Sequence, residues 1–372
     1  MVERHRLAIY RESINRKDGH DMKSKIQKTV KTIGIAVLCL LLVVILFMSG
    51  YSIYHQSRLK HELALINNTE GQFVEIEGHR MNLYIEGNGD KTLVFLPGTG
   101  TPSPMYDFKP LYSKLTNRYR IVVIEPFGYG YSDECDGERS LDIITDQNRE
   151  ALTLAGLEGP YILVPHSVSG AEAIWWANNY PDEVEAIIGL DCNIPAQYDY
   201  YPVNIFDQDP IDADKWISSM AASDFFNYDV GLFRLFTTES LMESMLPALL
   251  SDALTEAEKE QYKALAYVMY CRGSGATWVR ETFMTEHSLQ VLREYYEGPT
   301  PDIPTLMFVS DGKVMQQVYG DYCTSIWRSI HKDYIDSLTY GVIIELDSGH
   351  YLHSEKPDQV AAEIVAFIDS LG

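Results

Sequence analysis

Tyr161-Ile162-Leu163-Val164-Pro165-His166-Ser167-Val168-Ser169-Gly170 is the stretch on which the reading of this chain turns. Residues of β-forming character deliver a serine, and small residues that open a helix follow at once. A serine hydroxyl is a poor nucleophile until a base takes its proton and its rotamer is held. A sharp strand-to-helix turn does the holding and sets the hydroxyl above the helix N-terminus. Such a turn forces the serine into a strained backbone conformation, so the residues two before and two after it must be small. Ser169 meets that demand, whereas Pro165 is larger than the usual glycine. The bland alternative is a buried strand ended by a serine helix cap.

Three further segments bear on the choice. Thr92-Leu93-Val94-Phe95-Leu96 is a short apolar strand running into Pro97-Gly98-Thr99-Gly100-Thr101. Backbone N–H groups exposed in that turn could bind a developing oxyanion together with the N–H of Val168. Val123-Ile124-Glu125 ends in Pro126-Phe127-Gly128-Tyr129-Gly130-Tyr131-Ser132. This loop is not a dinucleotide fingerprint. The third glycine is absent, and Asp133 to Arg139 are too polar to open a helix packed on a sheet. Near the end of the chain, Ile344-Glu345-Leu346 leads into Asp347-Ser348-Gly349-His350. An amphipathic helix with Val360, Ile364, Phe367 and Ile368 on one face then closes the sequence. A histidine here has a reason, since a general base must reach the serine from a different strand end.

Around these segments, strand and helix patterns alternate. After an opening hairpin (73–76 and 81–85), strands are expected at 92–96, 120–125, 161–164 and 186–190, with helices near 105–115, 141–157 and 168–178. This alternation predicts an α/β fold, a mostly parallel sheet with helices on both faces and catalytic groups at the carboxyl edge of the strands. From Asn193 to about Pro301 the strand pattern stops. Helices expected at 213–222, 241–250, 256–270 and 277–296 read as a cap over the site. Strands return at 305–309 and 342–346, separated by a long helix at 316–338.

Taken in order, the four motifs resemble the α/β-hydrolase superfamily over roughly residues 72–372, and the Gly-His-x-x-x-x-Glu-x-Pro ending is similar to its cap-bearing branch. The resemblance implies an eight-stranded sheet, a core of residues 72–192 and 302–372, and a helical cap of residues 193–301 inserted after strand six. It implies Ser167 as nucleophile, His350 as base, and the N–H groups of Thr99 and Val168 as the oxyanion hole. It leaves the acid open. The family most often places it after strand seven, where the usual spacing lands on Lys313, which cannot serve, with Asp311 two residues out of register. Some cap-bearing members place it after strand six, where Asp191 fits directly. Asp191 is slightly favoured over Asp311. Their plain alternatives are a loop or cap residue and an Asp-Gly turn.

The implied chemistry is cleavage of an ester or related acyl bond in a small-molecule substrate, with no metal and no organic cofactor. One alternative is a peptidase similar to the prolyl aminopeptidases. Those carry Gly-Gly-Ser-Trp-Gly and His-Gly-Gly-Pro-Gly motifs, neither of which is present. Relatives that dehalogenate or open epoxides use an aspartate nucleophile, against which Ser167 argues. A non-catalytic binding module is the reading that Pro97, Pro165 and Lys313 feed.

The chain has 372 residues and a net charge of −23. Residues 33–48 carry no charge, and with residues through Ile53 the apolar run approaches the ~20 residues needed to span a bilayer. Tyr51 and Tyr54 sit where interfacial aromatics belong. Residues 1–32 are net +5, which predicts a cytoplasmic N-terminus, a transmembrane helix at 33–53, a polar stalk at 54–71 and a hydrolase domain outside the cell membrane. A cleaved signal peptide is the rival, but its charged region would be unusually long and Met48-Ser49-Gly50 is a poor cleavage site. The remainder, at about −28, argues against nucleic acid as a partner and accepts a neutral or cationic substrate more readily than a polyanion. Cys135, Cys192, Cys271 and Cys323 form no Cys-x-x-Cys pair, which argues against zinc.

Overall fold

β3 (Thr92–Leu96), β5 (Tyr161–Pro165) and β7 (Thr305–Val309) are buried at every residue, as strands covered on both faces must be. They belong to an eight-stranded sheet in a computed structural model describing residues 2–67, 70–200, 225–271, 277–278, 280–281, 302–311 and 322–372. The others are β1 (Gln72–Ile76), β2 (His79–Glu86), β4 (Arg120–Glu125), β6 (Val184–Leu190) and β8 (Gly341–Glu345). The strand order is β1-β2-β4-β3-β5-β6-β7-β8. β1 runs antiparallel to β2 and β2 to β4, and the pairings from β4 to β8 are parallel.

The period of two along each strand divides the core. Leu93, Phe95, Ile162, Val164, Ile188 and Phe308 face one side. There they meet Phe108 and Leu111 with Ile364 and Phe367 of the last helix. Val94, Leu96, Leu163, Ile187 and Met307 face the other, against Leu152, Trp176 and Trp327. The covering helices are α2 (Pro104–Asp107), α3 (Lys109–Tyr112), α4 (Leu141–Leu154), α5 (Ser169–Asn179), α9 (Tyr322–Asp336), α10 (Leu352–Glu355) and α11 (Pro357–Ser370). Between β6 and β7 the described residues include α6 (Leu232–Phe236), α7 (Glu239–Met245) and α8 (Glu256–Cys271). Met242, Leu249, Tyr262 and Leu265 from this insertion pack on Met105, Tyr106 and Tyr131.

The helix expected at 105–115 is two short ones, broken at Phe108, with Pro110 in the first turn of the second. That at 241–250 stops at Met245, and a separate turn, Pro247–Leu250, follows. In both places a proline lacks the N–H a continuous helix needs, and at Pro247 its predecessor Leu246 leaves the helical region as well (φ −128°, ψ 72°). The helices expected at 213–222 and over most of 277–296 lie outside the described residues, as do Lys313 and the start of the one expected at 316–338.

The chain divides into two units, Met1–Gln56 and Ser57–Gly372. The described residues of the first lie within α1 (Val2–Leu65), whose segment Lys25–Leu65 is long and apolar enough to cross a membrane, with a mean hydropathy of 2.9 over its most apolar window. The expected polar stalk stays helical to Leu65, and in the second unit Leu59 and Glu62 are buried on one face, three residues apart. Glu62 there takes both arms of the Arg234 guanidinium, Nη1 at 2.8 Å, and that guanidinium lies over the Tyr267 ring at 3.8 Å.

Candidate active site

Pro165 ends β5 opposite Leu96 of β3, and the ladder resumes one residue later, where the His166 N–H donates to the Leu96 carbonyl at 3.0 Å. The chain then turns sharply. Ser167 sits at φ 55° and α5 starts two residues on. Its carbonyl accepts from the N–H groups of Asn193 (2.7 Å) and Gly170 (3.1 Å), and the Ser169 hydroxyl donates to the Pro97 carbonyl. Gly170 is required here, because a Cβ would lie 2.2 Å from the Asn193 oxygen. Gly98 is tightly placed as well, since a Cβ there would lie 3.0 Å from both the Ser167 Cβ and His166 Nδ1. Of the three non-glycine residues with positive φ among those described, two are Ser167 and Asp191 (47°), at the ends of the adjacent strands β5 and β6. Such angles cost about 1–3 kcal/mol each and persist only where the surroundings over-determine them.

Asp191 is fully buried. One carboxylate oxygen faces Nδ1 of His350 at 2.7 Å. The other accepts from the Ser310 N–H at 2.8 Å and the Trp327 indole at 2.9 Å. Burial alone pushes this carboxyl up, but the His350 contact and the two further donors outweigh it and hold the group below the usual aspartate value. An ionised Asp191 places the His350 proton on Nδ1 and leaves Nε2 able to accept one. Asp311 is half-buried, and its backbone N–H reaches the Ser348 carbonyl at 3.4 Å. The end of β7 therefore supplies Asp191 with a backbone donor, from Ser310.

Three contributions were not legible as site features in the sequence. Trp327, on α9, reaches Asp191 from 136 positions away. His166 is buried beside the His350 ring, centroids 4.7 Å apart, and its Nε2 lies 3.2 Å from the His350 carbonyl. A carbonyl only accepts, so His166 donates and anchors the His350 loop. Burial, with His353 and His350 close by, keeps His166 well below the ordinary histidine value and therefore neutral. Glu125 is the third. Its buried carboxylate accepts from Asn82 (3.0 Å), Ser103 (2.7 Å) and the Tyr131 N–H (2.8 Å), tying the Gly128–Ser132 loop to β2 and α2. The acid and serine of that loop motif serve as scaffold. The only sequence signal for His166 was its place beside the serine.

The Pro97–Thr101 turn is held from outside. The Gly100 N–H donates to the Tyr129 hydroxyl (3.1 Å), and the Tyr270 hydroxyl donates to the Gly100 carbonyl (3.0 Å). Among the described residues, the N–H groups of Thr99 and Val168 have no acceptor. Asp107, His166 and His353 bring metal-binding atom types within 4.8 Å of one another. Asp107 is already bonded to His353 Nε2 (2.8 Å) and the Tyr262 hydroxyl (3.0 Å), which accounts for the cluster as a strut beneath the site. Cys135, Cys192 and Cys271 are buried and free.

The alpha/beta hydrolase family model matches residues 93–363. The uncharacterized protein YbdG of Bacillus subtilis (strain 168) is 31% identical over 336 residues, 89% of this chain and 95% of that one. A haloalkane dehalogenase of Mycolicibacterium smegmatis is 23% identical over 307 residues, 80% of this chain and 90% of that one. The crystal structure of DBJA (the delta mutant) superposes with a TM-score of 0.55 at 16% identity, covering 82% of this chain and 99% of that one, a likeness of fold.

Proposed function

The chain belongs to the alpha/beta hydrolase family, a membership that supports hydrolase activity, and from that premise we propose that it is a membrane-anchored serine hydrolase cleaving an ester or related acyl bond outside the cell. One observation carries the reading. The ionised, fully buried Asp191 orients His350 while the neighbouring strand presents Ser167 on a strained turn. In this reading the Ser167 hydroxyl oxygen bonds to the acyl carbon and its proton passes to Nε2 of His350. The tetrahedral oxyanion rests on the N–H groups of Thr99 and Val168, each worth about 3 kcal/mol at the transition state. His350 returns the proton to the departing oxygen as the carbon–oxygen bond breaks. Water then repeats the sequence, giving the carboxylic acid and free Ser167.

The nucleophile decides between acyl and alkyl chemistry. Displacing a halide or opening an epoxide with a carboxylate leaves an ester that water can cleave. With a serine it leaves an ether, which water does not cleave, so turnover stops after one event. Ser167 supports an acyl substrate, and the dehalogenase likeness is read as one of fold. The net +5 of residues 1–32 and the apolar helix after it support an N-terminus inside and the hydrolase domain outside.

The test is labelling by a fluorophosphonate probe of the full chain in detergent, beside Ser167→Ala and His350→Ala, followed by a panel of esters. Labelling of wild type that is lost in both variants is expected. A folded wild type that does not label removes the proposal.

A further inference from the structure

Arg139 is 1% exposed and lies ahead of α4. Its Nη1 donates to Gln147 at 2.5 Å. Its Nε and Nη2, also buried, find no acceptor among the described residues. Those two N–H groups lie along one edge of the planar guanidinium, the parallel fork that matches the two oxygens of a carboxylate. A guanidinium taken out of water is normally partnered, and this one is partnered on one edge only.

A cavity of about 30 Å³ adjoins it, with walls from Arg139, Val168, Ser169, Glu172 and Glu281 among others. By this measure a single water needs roughly 10–15 Å³, so the space suits two oxygen-sized atoms. The wall includes Val168 and Ser169, the two residues that follow Ser167, which sets the cavity beside the turn that carries the proposed nucleophile. The other polar groups are compatible with an anion. Glu172 is pushed up to about 8 by burial, against a bond from Asn148, so at neutral pH it is mostly an uncharged acid. Glu281 is also raised by burial, against the Arg139 charge, and takes the Tyr129 hydroxyl at 2.8 Å. Both carboxyls feel the Arg139 charge, yet neither bonds to its Nε or Nη2.

We propose that this cavity is a substrate subsite in which the fork of Arg139 binds a carboxylate of the substrate, so that the preferred substrates are esters carrying a free carboxylate a few atoms from the scissile bond. This deepens the acyl-hydrolase reading and rests on it. It also refines the charge argument: the unit is strongly acidic as a whole, yet Arg139 brings two open donors to this cavity.

The experiment compares matched pairs of esters on the full chain in detergent. On the acyl side, mono-4-nitrophenyl glutarate is set against its methyl ester. On the alcohol side, 4-acetoxybutyrate is set against its methyl ester. On one of the two sides the free acid should exceed its methyl ester in kcat/KM by about 10- to 100-fold, the range of a hydrogen-bonded charge. That ratio should fall to near one in Arg139→Gln, and the responsive side tells whether the carboxylate enters on the acyl or the alcohol group. As a control against misfolding of Arg139→Gln, glutarate binding to Ser167→Ala is measured by calorimetry, and saturable binding is expected. An enzyme that labels and hydrolyses esters but treats acid and methyl ester alike overturns the subsite and leaves the serine hydrolase standing. A protein that does not label removes the hydrolase reading, and absence of glutarate binding then removes the subsite too.

Discussion

Asp191 and Glu172 are both buried carboxyls flanking the Ser167 turn, one at the end of β6 and one in the first turn of α5, yet their charges are driven in opposite directions. Burial pushes both up. Asp191 receives three donors, from His350, Ser310 and Trp327, and ends below the usual value. Glu172 receives one, from Asn148, faces Glu281, and ends at about 8. Desolvation is common to the two, so the donors and the neighbouring charges, His350 beside Asp191 and Glu281 and Arg139 beside Glu172, decide which carboxyl is an anion and which an acid. In the proposed mechanism the anion steadies a protonated His350, and in the proposed subsite the neutral acid does not repel an anion.

The sharpest way to break this contrast is to remove the Asp191 charge. Asp191→Asn keeps the shape but lets Nδ1 of His350 be the acceptor, the wrong tautomer, and should lower kcat by about 10⁴-fold. An ester assay showing a loss under tenfold would make Asp191 structural only. The next test concerns Glu172. A raised folded pKa means the folded state holds a proton that the unfolded state has released, so its contribution is present below the unfolded carboxylate value and is lost as pH rises through about 8. Glu172→Gln should therefore gain stability relative to wild type between pH 5 and pH 8, on the order of 3 kcal/mol. Thermal melts of the two proteins across that range check the sign, and parallel curves would refute it. Asp191 has the opposite sign, its stabilisation being present above the unfolded value and lost as pH falls through its depressed folded one. A smaller effect follows from taking one donor away. Trp327→Phe should cost roughly 1.5–3 kcal/mol of stability and about tenfold in kcat, as Asp191 becomes easier to protonate. Smallest of all, Asp311→Asn should change kcat less than about twofold. A loss matching that of Asp191→Asn would move the acid to β7.

The sheet was legible because its signals are local. Runs such as Thr92–Leu96 and Arg120–Glu125 are apolar along their length and bounded by turn residues, so their limits agree with the structure to the residue. The breaks at Phe108 and Leu246 were readable in principle from Pro110 and Pro247, but amphipathic periodicity hid them. The partner of Glu62 in the stalk was not readable, because Arg234 lies 172 positions away.

From its sequence alone, the chain's α/β alternation, its serine on a strand-to-helix turn, its Gly-His loop and its apolar N-terminal segment are all determined, since each depends on neighbours within a few residues. Only the tertiary structure decides which aspartate meets His350, that His166 anchors the His350 loop, and that Trp327 and Ser310 complete the Asp191 site. Those contacts join strand ends and helices separated by more than a hundred positions, and the charge state of a buried carboxyl depends on how many such donors converge on it.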